Sequence, residues 1–130
     1  MTIEDLRALC LEWQARLRLS DWQITVEYVR NKATDDTWWG TVCRWEAGDR
    51  WAVIQLVDPS SLDMIDYPYG HYDVEETLVH ELLHIYTEGI QGRQGGTFPR
   101  RNTAEDTYAE QMADAVSAAL VVLKRSGVAA

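Results

Sequence analysis

A chain of 130 residues with 46% hydrophobic and 25% charged side chains has the make-up of one globular domain that can bury its own core. Its net charge of −9 argues against a phosphate backbone as partner, because nonspecific nucleic-acid affinity comes from Lys and Arg. No apolar run approaches the roughly 18 residues of a membrane span, and the start MTIEDLRALC is not a secretory signal, so a cytoplasmic protein with no membrane partner is expected.

Residues 3–18 predict an amphipathic helix. Ile3, Leu6, Leu9, Cys10, Trp13 and Leu17 form one stripe, and Thr2 with Asp5 three residues on resembles a capping box. From Trp22 the period changes to two, with Trp22, Ile24, Val26 and Tyr28 on one face of a half-buried strand. A second strand over 38–46 places Trp39, Cys43 and Trp45 on one face. Gly48 and Asp49 read as a two-residue type II′ connection into a third strand over 50–57. Trp38, Trp39, Trp45 and Trp51 fall in this hairpin and read as the core of a thin sheet. The two cysteines, Cys10 and Cys43, lack CxxC spacing and read as buried thiols. Residues 60–72 read as a loop.

Asp73 is a good N-cap, with Glu76 three residues later, for a helix expected to run to Glu88 and stop at Gly89. It carries His80 Glu81 Leu82 Leu83 His84, a match to HExxH. Residues four apart share a helix face, so both imidazoles can reach one metal ion while Glu81 handles a water proton. Thr77, His80, Glu81, His84 and Glu88 fill one wedge of the helical wheel, and Val74, Leu78, Val79, Leu82, Leu83, Ile85 and Tyr86 cover most of the rest. A helix of this kind is buried. Burying two histidines and a glutamate costs several kcal/mol unless they are paired or bound to metal.

Residues 89–102 read as a flexible, locally basic connector. Thr103 opens a last helix to about Arg125, with Tyr108, Met112, Val116, Ala119, Leu120 and Leu123 on or near its apolar side.

A catalytic zinc usually has three protein ligands and one open position. No histidine follows His84, and His71 is the only other one in the chain. Glu88 stands eight residues from His80, roughly 12 Å along the axis, too far to close a tetrahedral site. Glu110 and Asp114, four apart on the last helix, can supply one metal ligand and one acceptor for the outer N–H of a ligating histidine. Glu105 remains an alternative ligand.

HExxH followed by Glu110 Gln111 Met112 Ala113 Asp114 resembles the gluzincin branch of the zinc metallopeptidases, in the form of the minimal zincin-like domains found in bacteria and bacteriophages. The resemblance implies one zinc ion held by His80, His84 and Glu110, with Glu81 as catalytic base and Asp114 as orienter of a histidine. The chain lacks the larger gluzincins' C-terminal domain and downstream His, so the oxyanion group is open among His71, Tyr72, Tyr86 and Tyr108. The expected fold is α+β: an N-terminal helix, a small three-stranded, mainly antiparallel twisted sheet, the HExxH helix and a C-terminal helix. The third strand would be the edge that pairs an extended peptide. The expected activity is peptide-bond hydrolysis by a Glu81-activated, zinc-bound water, on a protein or peptide substrate. The alternative is a non-catalytic zinc-stabilised binding module, for example a phage component.

Overall fold

The computed structural model describes residues 1–30, 39–61, 72–90, 95–97 and 104–127. The fold class is α+β, as expected, with helices α1 (Ile3–Arg16), α2 (Val74–Ile90) and α3 (Ala104–Arg125) and strands β1 (Gln23–Val29), β2 (Gly40–Glu46), β3 (Trp51–Val57) and β4 (Gly95–Thr97). Its strand order is β1-β3-β2-β4. No helix among the described residues is long and apolar enough to cross a membrane.

α1 starts where its capping box predicts. Thr2 Oγ1 accepts the Asp5 N–H and the Asp5 carboxylate accepts the Thr2 N–H. Its inner stripe buries Leu6, Cys10, Trp13 and Gln14. The Gln14 amide donates to the carbonyls of Leu19 and Trp22, which satisfies the turn that leads into β1.

β3 is central and not an edge. It pairs in parallel with β1 and antiparallel with β2, so the expected peptide-docking edge at 50–57 is corrected. Every second residue of β3 is then covered on the helix side, and Ala52, Ile54 and Leu56 are all but inaccessible to solvent. β4 adds a short fourth strand, paired with residues 44–46 of β2, inside the stretch read as a connector.

The hairpin also differs from the simple alternation. A bulge at Cys43 shifts the register, so Val42 and Trp45 face the core while Cys43 is half-buried. The connection takes four residues, 47–50, because the Glu46 carboxylate accepts the N–H groups of Gly48 and Asp49 at 2.7 and 2.6 Å. Arg50, at φ 54°, takes the left-handed position that a type II′ turn would have given to Gly48.

α2 lies against β2, β3 and α1, and α3 lies against α2. Leu78, Val79 and Leu82 are fully buried, and each large apolar side chain so placed contributes about 1.5–3 kcal/mol. The helix continues through Gly89 to Ile90, one residue beyond the expected stop. α3 turns a narrow stripe inward, with Ala109, Ala113, Ser117 and Val121 buried. The expected Tyr108, Met112 and Leu123 are instead exposed, because small side chains let α3 approach α2 closely.

One polar cluster locks the far end of this helix pair. The Arg125 guanidinium donates to both oxygens of Asp73, at 2.7 and 3.0 Å, and to Glu75. Lys124 also bonds Glu75, and Trp13 Nε1 donates to the same carboxylate at 2.8 Å. Basic residues thus end α3 where acidic residues begin α2, each sign matching its helix dipole.

Candidate metal centre

Asp73 opens α2 by accepting the Glu76 N–H at 3.0 Å, while Thr77 Oγ1 donates to the Asp73 carbonyl. From that start, the four-residue spacing stacks His80 and His84 on one face, with ring centroids 4.7 Å apart. Their Nε2 atoms stand 3.0 Å apart. Ligand atoms of His80, Glu81 and His84 all lie within 4.8 Å of one another, and the group could hold a metal ion.

α3 brings Glu110 across this pair. One carboxylate oxygen lies 3.0 Å from His80 Nε2 and the other 2.9 Å from His84 Nε2. Two nitrogens and a carboxylate therefore form a triangle with edges near 3 Å. A tetrahedral ion with bonds of about 2.0–2.1 Å sets its donors about 3.3 Å apart, so the donor set fits such an ion in both type and spacing. Glu81 Oε1 is further off, 3.7 Å from His80 Nε2. His84 is fully buried, whereas the Glu110 side chain is half-exposed, so the cluster meets solvent on the α3 side.

The outer nitrogen of each ring is also engaged. Asp114 Oδ1 lies 2.7 Å from His80 Nδ1, and Thr87 Oγ1 lies 3.2 Å from His84 Nδ1. Burial alone pushes the His80 pKa down, but the hydrogen bond to Glu110 and the charges of Glu81, Glu110 and Asp114 outweigh it and leave the pKa raised. Burial raises Glu110, yet its hydrogen bonds to His80 and His84 and their charges hold the carboxyl well below the usual range. The pocket thus favours an anionic Glu110 facing cationic charge.

The five residues singled out for the site, His80, Glu81, His84, Glu110 and Asp114, are brought together. Glu88 is buried one turn beyond His84 and is not in the ligand group. The Tyr72 hydroxyl donates to the Val57 carbonyl at 2.6 Å. Burial, with the charges of Tyr28 and Asp58 adding to it, keeps that phenol protonated. Tyr86 donates to the carbonyls of Leu17 and Arg18. Tyr108 is 70% exposed. His71 and the Glu105 side chain lie outside the described residues. Thr87 was not foreseen; its one sequence signal is a hydroxyl one turn past His84.

Elsewhere, burial raises the Cys10 thiol to about 12, which suits a core residue and not a nucleophile. A comparison of the chain with protein-family models finds no match, and no curated protein and no solved structure matches it.

Proposed function

We propose that the protein is a zinc-dependent metallopeptidase of the minimal zincin-like, gluzincin type, in which His80, His84 and Glu110 hold the ion. The observation that carries this reading is the triangle of His80 Nε2, His84 Nε2 and the Glu110 carboxylate, drawn from two helices and closed to about 3 Å on each edge. Two imidazoles and one carboxylate are a donor set that zinc favours. When bound, the ion supplies Lewis-acid activation of a water and of the scissile carbonyl.

Glu81 is the general base. The residue is 5% exposed and its carboxylate lies beside the ligand triangle, from where it would take a proton from the attacking water and pass it to the leaving amine nitrogen. Asp114 holds the His80 ring by accepting from Nδ1.

Substrate recognition falls to β2. Its residues 40–42 pair with β3 on one side, and among the described residues the pairing with β4 on the other covers only 44–46. Gly40 lies against the Glu81 side chain, so this half-strand borders the base. An extended peptide paired along it would run past the site with its backbone aligned, which supports a peptide or protein as substrate.

The test combines metal content with cleavage. Purified wild type should hold one zinc per chain and cleave an unfolded protein such as casein. His80→Ala with His84→Ala should lose the metal, and Glu81→Gln should keep the metal and lose cleavage. A wild-type chain that folds fully and binds no zinc would refute the reading. Zinc binding without cleavage of any peptide would leave a metal-stabilised binding module in its place.

A further inference from the structure

We propose that Thr87 is the positioning residue for His84, the counterpart on α2 of what Asp114 does for His80. The inference rests on the metal-holding role of His84 and extends it to a residue outside the HExxH motif. The Thr87 hydroxyl lies 3.2 Å from His84 Nδ1 and donates to the His84 carbonyl at 3.1 Å. A hydroxyl has one proton and two lone pairs. The carbonyl can only accept, so that proton goes to it, and a lone pair is left for the ring nitrogen. The result is a one-way chain, from Nδ1–H to the hydroxyl and from the hydroxyl to the carbonyl. An imidazole that offers the Nε2 lone pair to a cation carries its proton on Nδ1, and this chain receives that proton.

Burial makes the contact decisive. His84 is 1% exposed and Thr87 is 4% exposed, so bulk water cannot replace the hydroxyl, and a ring N–H without an acceptor there costs its full desolvation. Residue type matters as well. Three residues on, Thr87 stands over His84, and the bond to the carbonyl one turn back fixes the χ1 rotamer of a side chain already stiff at Cβ.

The two histidines are therefore held differently. His80 relies on a carboxylate from α3 whose side chain is 74% exposed, whereas His84 is oriented from within α2. The Thr87 contact involves no residue of α3.

Three chains decide the matter: wild type, Thr87→Val, which removes the hydroxyl at equal size, and Thr87→Ser, which keeps it. Zinc affinity is read by competition with a chromogenic chelator. The state of His84 is read by long-range proton–nitrogen NMR of the zinc-loaded wild type. Thr87→Val should bind zinc about 10–100-fold more weakly and Thr87→Ser within about threefold of wild type. The spectrum should show His84 protonated at Nδ1 and coordinated through Nε2. Wild-type affinity in a folded Thr87→Val, or coordination through Nδ1, would overturn the proposal while leaving the metal site intact. If Thr87→Val fails to fold, Thr87→Ser and the wild-type spectrum still decide. Wild type without zinc affinity would overturn the metal reading itself, a separate outcome.

Discussion

Asp114 on α3 sets a carboxylate oxygen 2.7 Å from Nδ1 of His80, across the ring from the nitrogen that faces Glu110. Partners of this kind fix ring orientation and raise ligand basicity. Because the Asp114 side chain is 74% exposed, water can partly replace it, and the effect should lie at the low end of the usual range. Asp114→Ala is expected to weaken zinc binding about tenfold, with little change in the melting midpoint of the metal-free chain. Chelator competition and thermal melts check both statements.

Glu110 and Glu105 make opposite predictions. Glu110 spans both imidazoles, so Glu110→Ala should reduce zinc affinity by more than about 100-fold, beyond the loss for an outer partner. Glu105→Ala should leave affinity within about twofold of wild type. The reverse order of effects would hand the ligand role to Glu105.

Gly40 separates β2 from α2. A Cβ there would lie 2.7 Å from Leu56 Cδ2, 2.8 Å from Thr77 Cγ2 and 3.3 Å from Glu81 Cγ. Gly40→Ala should therefore cost about 1–3 kcal/mol in urea unfolding. Cleavage should fall further than stability, since the same methyl displaces Glu81. Unchanged stability and turnover would show that Leu56 and Thr77 yield to the added methyl without disturbing Glu81.

The cluster at the far end of the helix pair should make stability depend on acid. The Asp73 carboxyl is held below its ordinary value chiefly by its hydrogen bond from Arg125. Burial pushes Glu75 up, but Lys124, Trp13 and Arg125 outweigh it and leave it lowered. A carboxyl lowered by folding contributes stability above its unfolded pKa and loses it as pH falls through the folded one. Glu75→Gln should thus cost about 1–2 kcal/mol at pH 7, and the gap to wild type should close as pH falls below about 4.5. Urea titrations of metal-free protein at several pH values measure it.

Much of this arrangement was legible because it is local. Thr2 with Asp5 and the N-cap Asp73 act over three residues, and the polar wedge of α2 follows from helix period alone. His80, Glu81 and His84 needed only the spacing of HExxH, whereas Glu110 and Asp114 came from their four-residue spacing together with the resemblance to gluzincins, which left Glu105 as an alternative. What escaped depends on contacts far along the chain. Nothing in the alternation of β1 says that β3 will insert beside it in parallel, and the bulge at Cys43 reassigns faces that a strict period of two had given to Trp39 and Cys43. The inner face of α3 was misjudged because distance between helices, and not hydrophobicity, selects Ala109 and Ala113. Glu46 displaced the expected glycine turn with a side chain outside the connection. Thr87 becomes visible only when one asks what the far nitrogen of His84 touches.

The cluster that joins Glu110 to His80 and His84 also has a consequence in time. His80 and Glu110 stand 30 positions apart in the chain, and α3 is the last of the described helices. While the polypeptide is being made, α2 leaves the ribosome before α3, with His80, Glu81 and His84 in place but not Glu110. If Glu110 completes the site as proposed, tight capture of an ion waits for α3, and so does any hydrolysis that depends on it. On the proposed metallopeptidase reading, a nascent chain that stops short of Glu110 carries the motif without its third ligand, and so without the means to cut its neighbours.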